Sequence, residues 1–189
     1  MKITDPHPTF LPVDNIDTDR IIPARFLTTT RRDGLGCHLF EDWPEGKAAL
    51  SDASILIAGN NFGCGSSREH AVWALVDRGF RAIVSTGFAD IFHANAIRNG
   101  LAPVVIAGED HARLVSLLDD GPDHETVLDF TSRRLICGPL DITFSARAVP
   151  TGQAIPGDAE LDLLLARIDD IERWEAHHPP RIDTRKDRR

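Results

Sequence analysis

Tyrosine is absent from these 189 residues, methionine occurs once and cysteine only three times. Cys37, Cys64 and Cys137 are an odd number at wide spacing, which excludes a disulfide framework and a zinc knuckle. No apolar run approaches the ~20 residues needed to cross a bilayer. The opening "MKITDPHPTF" lacks the charged-then-apolar layout of a secretory leader. Positive charge is scarce as well, with 21 Lys and Arg against 29 Asp and Glu and a net charge of −8. Nucleic-acid binding needs clustered cations, so none is expected. The expected setting is reducing and cytoplasmic, with no membrane partner.

Hydrophobic residues make up 42% of the chain, enough for a packed globule. The central third alternates apolar runs and helical patterns. "ASILIAG" (53–59), "RAIVST" (81–86) and "APVVIA" (102–107) predict buried strands. Between and after them, helices are predicted from Ser66 to Arg78, over "GFADIFHANAIRNG" (87–100) and over "EDHARLVSLLDDG" (109–121). Short joints between such elements imply parallel strands with right-handed crossovers. After Gly121 the texture changes to "TVLDF", "RRLICG" and "LDITFSA", segments typical of antiparallel β. "DAELDLLLARIDDIERWEAHH" closes with a helical stripe of Leu161, Leu164, Leu165, Ile168, Ile171 and Trp174. The N-terminal segment, broken by Pro6, Pro8, Pro12 and Pro23, is expected to be loop. One α/β domain over residues 1–178 is expected, followed by a basic, disordered tail at 179–189.

The stretch "GNNFGCGSSREHAVWAL" (59–75) concentrates the chemistry. It falls between a parallel strand and a helix, where α/β sheets bind ligands. Ser66 and Glu69 stand in the S-x-x-E relation of a capping box, so one reading is a turn and a cap only. Phosphate readings fail in detail. The P-loop lysine is missing, and glycines at 59, 63 and 65 do not fit G-x-G-x-x-G. A nucleophile elbow would need a glycine two places after Ser66. What remains is an anion site: helix-terminal amides attract negative charge, and Arg68 can form a bidentate pair with a carboxylate. Positive surroundings stabilise an alkoxide, which makes base chemistry at a serine conceivable. The glycines also predict a mobile loop over Asn60–Gly65. A second cluster, "DNIDTDRIIPARFL" (14–27), alternates Asp14, Asp17 and Asp19 with small polar residues. It lacks the glycine and terminal glutamate of a calcium loop, so an Asx-rich turn is the other reading.

Together "NIDTDRIIPARFL", "GCHLFEDW", "NFGCGSSREHAVWAL", "FADIFHANAIRNGL" and "LDLLLARIDDIERWE" resemble the small subunits of the isopropylmalate-dehydratase branch of the aconitase family. The resemblance spans roughly residues 10 to 178, and "GSSREH" followed by "FADIF" is its most specific part. It implies an aconitase-like swivelling β/β/α three-layer domain, with a central parallel sheet and additional antiparallel strands. It also implies a large partner subunit carrying a [4Fe–4S] cluster, and isomerisation of 2-isopropylmalate to 3-isopropylmalate through 2-isopropylmaleate. By the same resemblance Ser66 is the base, and Ser67, Arg68 and Asp19 bind the dicarboxylic-acid substrate. Thr18, Asn61, Gly63, Cys64 and Gly65 shape the site. No metal or cofactor is expected on this chain, because its cysteines lack the spacing of cluster ligands. Where aconitase carries an arginine ahead of "HL", Gly36 or Cys37 stands here, which argues against citrate. Two alternatives stay open: a related dehydratase for a methylated malate (dimethylmalate or citramalate), and a cluster-free carboxylate- or RNA-binding regulatory module.

Overall fold

The computed structural model describes residues 1–121, 124–145 and 167–178. Contacts divide the chain into two compact units, Met1–Ala154 and Ile155–Arg189, where the sequence suggests a single domain up to 178. In the second unit a helix runs over Ile168–His177, with Ile168 and Trp174 exposed. The expected stripe residues Leu161, Leu164 and Leu165, and the tail 179–189, lie outside the described residues.

In the first unit the three predicted buried runs become β3 (Ile55–Ala58), β4 (Ala82–Ser85) and β5 (Ala102–Val105). They pair in parallel with β2 (Thr9–Leu11) in the order β2-β3-β4-β5. Helices α3 (Glu69–Arg78), α4 (Asp90–Arg98) and α5 (Gly108–Asp120) follow β3, β4 and β5 in turn. A second sheet, antiparallel, has the order β1-β6-β7-β8, built from Lys2–Asp5, Thr126–Asp129, Arg134–Cys137 and Leu140–Thr143. Among the described residues no helix is long and apolar enough to cross a membrane.

The layers follow from side-chain alternation along strands buried on both faces. Leu56, Ala58 and Ile83 face a core made with Ala71, Val72 and Leu75 of α3 and Phe92 and Ala96 of α4. Ile55, Ile57, Ala82, Val84 and Val104 face the other way, onto Leu128, Leu135, Cys137 and Ile142 of the antiparallel sheet and Leu114 and Leu118 of α5. This is the expected three-layer β/β/α arrangement with the parallel sheet in the middle.

The N-terminus departs from expectation. Instead of loop, it supplies β1 to the antiparallel sheet and the edge strand β2 to the parallel one. Each is only three or four residues long, with Pro6 and Pro8 between them, so alternation had too little length to register. Asp5 ends β1 and is buried, and its carboxylate ties the two sheets together. Oδ2 accepts from Ser54 N at 2.5 Å, Ile55 N at 2.8 Å and Ser54 Oγ at 3.1 Å, while Oδ1 accepts from His7 N at 3.0 Å. Asp5→Asn replaces one accepting oxygen with an amide that cannot accept from these N–H groups. A loss of about 2 kcal/mol is expected, within the range for charge-assisted hydrogen bonds. It should appear as a lower denaturant midpoint at unchanged m-value.

Candidate active site

The carboxyl edge of the parallel sheet brings the two polar clusters together. β2 leads through Asp14–Asp17 into α1 (Thr18–Ile21), and its neighbour β3 leads through residues 59–68 into α3. The two connections run side by side. Asn15 N donates to Asn60 O at 2.8 Å, Gly63 N to Ile16 O at 2.8 Å and Thr18 N to Cys64 O at 3.0 Å. Asp14 Oδ1 accepts from Asn60 N at 2.6 Å. On the far side Phe62 N donates to Gly87 O at 3.0 Å and Ala89 N to Phe62 O at 3.1 Å. The glycine loop therefore extends the sheet by a few residues, with Phe62 fully buried beneath it. The Asn60–Gly65 segment, expected from its glycines to be mobile, is thus hydrogen-bonded to both neighbouring connections. Its backbone hydrogen-bond partners lie far away in sequence, between Asn15 and Thr18 and at Gly87 and Ala89, and the glycine content alone could not reveal them.

Two glycines have a geometric reason. Gly63 has φ +75°, and a Cβ there would overlap the Phe92 ring and lie 2.6 Å from the Phe92 Cβ. Gly65 has φ +86° and turns the chain so that Ser66 and Ser67 face solvent. Both conformations disfavour any side chain.

The capping reading of Ser66 does not hold. α3 starts at Glu69, its N-cap is Arg68 in extended geometry, and no side chain caps it. The reason is tertiary: Glu69 Oε1 accepts from Asn99 Nδ2 at 3.0 Å and does not turn back to Ser66. Ser66 instead sits upstream of the helix, and its carbonyl accepts from Thr18 Oγ1 at 3.0 Å. Its hydroxyl is thereby released from the structural task that the sequence suggested.

A cleft of ≈ 240 Å³ opens at this edge. One wall is Thr18, Gly63, Gly65, Ser66, Ser67 and Arg68; the other is Ala89, Asp90, Ile91 and Phe92 at the start of α4. Arg68 is the one cation among these lining residues, and its Nη1 pairs with Asp19 Oδ1. Asp19 reaches the site through that pair. Asn61 and Cys64, grouped with the site from sequence, act as struts behind it. Asn61 (φ +54°) donates from Nδ2 to Asn15 Oδ1 at 2.8 Å, and Cys64 binds Thr18 through its carbonyl.

The opposite wall, Ala89–Phe92, was missed as a site element. The rule that singled out the β3–α3 loop applies equally to the neighbouring β4–α4 loop, and adjacent parallel strands place those loops side by side. The cleft thus lies between two helix N-termini, each a favourable place for negative charge. Ile91 adds an exposed apolar side chain to it.

The three cysteines differ in exposure. Cys37 is exposed in a short turn, Cys64 half-buried in the loop and Cys137 buried in β7. Burial pushes the Cys137 thiol above its ordinary value, and a hydrogen bond from Thr126 Oγ1 only partly offsets this. Among the described residues no group of three or more His, Cys, Asp and Glu comes together to hold a metal.

Known proteins place this cleft in context. Residues 48–109, which include the glycine loop and the start of α4, match the family described as the aconitase C-terminal domain. The chain is 41% identical over 180 residues to a 3-isopropylmalate dehydratase small subunit from Solibacter usitatus, covering 92% of each. It is 49% identical over 193 residues to the protein of the same name from Anaeromyxobacter sp. strain K, covering 93% of this chain and 96% of that one. In three dimensions it is similar to the crystal structure of a 3-isopropylmalate dehydratase from Methanocaldococcus jannaschii. That match has a TM-score of 0.62 and 29% identity and covers 79% of this chain and 84% of the other.

Proposed function

The chain belongs to the family of 3-isopropylmalate dehydratase small subunits, and from that premise we propose how its cleft takes part in the reaction. It is one half of a two-subunit hydro-lyase that isomerises 2-isopropylmalate to 3-isopropylmalate through 2-isopropylmaleate, a step of leucine biosynthesis. The names and similarity of the relatives favour this over a methylated-malate dehydratase or a cluster-free regulatory module. The observation that carries the mechanism is convergence. Ser66, Ser67 and Arg68 from one strand–helix connection meet Thr18 from the neighbouring one on a single cleft edge, and Arg68 pairs with Asp19 next to Thr18.

Dehydration removes a proton from C3 and hydroxide from C2, and the C–H electron pair becomes the double bond. Ser66 Oγ, as alkoxide, takes the C3 proton, and in rehydration it returns a proton at C2 while the hydroxyl enters at C3. Negative charge at that oxygen is favoured by the Arg68 guanidinium and by the two helix N-termini flanking the cleft. Ser67 and Arg68 hold a substrate carboxylate, and Asp19 pairs with Arg68. Gly63, Gly65 and Thr18 set the loop so that these groups face one way.

Hydroxide is a poor leaving group and needs an electrophile. The one lining cation, Arg68, is engaged with Asp19, so the group that receives the hydroxyl is left to the large subunit. A [4Fe–4S] cluster held there would supply that chemistry. Cys37, Cys64 and Cys137 lie on separate elements of the chain.

Two measurements test the division of labour. The isolated chain is expected to hold no stoichiometric iron after anaerobic purification and to leave 2-isopropylmaleate unhydrated. Together with the large subunit it should hydrate 2-isopropylmaleate faster than citraconate. Activity of the chain alone would overturn the two-subunit reading, and a preference for citraconate would move the substrate to a methylated malate.

A further inference from the structure

We propose that Asp19 acts on the reaction through Arg68, as the counter-ion that fixes the guanidinium, and that it does not touch the substrate's carboxylates. This rests on the carboxylate-binding reading of the cleft. The inference starts from a charge problem. A dicarboxylate substrate is repelled by any ionised carboxyl group set directly against it. Asp19 is not among the residues lining the cleft, where the one carboxyl group is Asp90 on the opposite wall, whereas Arg68 is. Asp19 Oδ1 accepts from Arg68 Nη1, so one of the five N–H donors of the guanidinium is taken. The others stay available to a ligand entering from the Ser66–Ser67 side.

The position of Asp19 is itself built. It follows Thr18, whose N donates to Cys64 O at 3.0 Å and whose Oγ1 donates to Ser66 O at 3.0 Å. Asp17 caps the same short helix by accepting from Arg20 N at 2.7 Å. The segment carrying Asp19 is therefore fastened to the residues just ahead of Arg68, two and four positions upstream. Arg20 is turned elsewhere, with its guanidinium 5.3 Å from the centre of the Trp43 ring, and does not compete for Asp19. Arg68 is 16% exposed at its side chain and Asp19 58%. The cation is held inside, and its partner stands on the flank toward solvent. Such a pair contributes little to stability, as is usual for exposed ion pairs, but it limits the orientations of a long side chain.

The test uses the assembled two-subunit enzyme with D19N, D19E, R68K and the D19N/R68K double variant. Asp19→Asn is expected to raise KM for 2-isopropylmalate about tenfold with kcat within about threefold and the pH profile of kcat unchanged. Asp19→Glu should restore part of the lost affinity. Once Arg68 is lysine, Asp19→Asn should add less than a twofold change, because the forked group it orients is gone. A hundredfold fall in kcat with loss of one limb of the pH profile would make Asp19 an acid or base and overturn the proposal. So would an unchanged KM, or effects of D19N and R68K that multiply. If D19N fails to assemble with the large subunit, D19E decides alone: a KM equal to wild type overturns the proposal, and a few-fold rise upholds it. Failure of the underlying reading looks different, since R68K itself would then leave KM unaltered.

Discussion

In the assembled enzyme, Ser66→Ala is expected to lower kcat by about 10² or more while the melting temperature stays within about 1 °C of wild type. The kinetic figure is what general-base catalysis contributes. The thermal one follows from the local geometry. A capping serine would cost ~1 kcal/mol when replaced by alanine. Ser66 is not the cap of α3, and its contact with Thr18 uses the backbone carbonyl, which alanine retains. Chemistry and stability are thus separable at this position. Thermal melting of the chain beside steady-state hydration of 2-isopropylmaleate measures both. A drop of several degrees with proportionate loss of activity would mean that Ser66 serves the fold.

Gly63→Ala should be the most damaging single methyl group near the cleft. The left-handed φ costs an alanine roughly 1–2 kcal/mol. The added Cβ also runs into Phe92, and overpacking of a filled site costs about 1–3 kcal/mol. Together about 3 kcal/mol is expected, or a melting temperature lower by roughly 10 °C for a chain of this length. Because Phe92 lines the cleft, substrate affinity should fall as well. Gly65→Ala is the internal control. It has a similar φ of +86°, but its Cβ would meet its nearest neighbour, Asp17 Cβ, at an ordinary 3.5 Å. Backbone strain alone should appear there. Equal melting temperatures for the two variants would remove the Phe92 contact from the account.

The contrast between these two glycines also marks how far sequence reasoning reached. Strands β3, β4 and β5 were legible because short apolar runs, three or four residues of which are buried in a row, need no tertiary knowledge to look like a strand within a parallel sheet. The meeting of Asp19 with Arg68 was expected only from the resemblance, because β2, the strand that leads to Asp19, was not legible in the sequence. Three features were hidden, each because a distant residue decides it. Asn99 draws Glu69 away from a capping box and moves the helix start from Ser66 to Glu69. Ile16 and Gly87 pair with the backbone of the glycine loop. β1 and β2 are strands only because β6 and β3 lie ready to pair with them. Local pattern alone left the serine loop open between a cap and an anion site. The functional roles of the two serines came from resemblance and not from spacing.

The central claim is that this chain moves the proton while its partner handles the hydroxyl. The most direct test follows, by proton NMR in D₂O, the one of the two C3 hydrogens of 2-isopropylmalate that the reaction removes, with the assembled enzyme carrying either the wild-type chain or Ser66→Ala. Wild type should replace that hydrogen with deuterium as the reaction cycles. Ser66→Ala should bind 2-isopropylmalate with a Kd within a few-fold of wild type and leave the hydrogen in place. Exchange at the wild-type rate in the Ser66→Ala enzyme would contradict the claim.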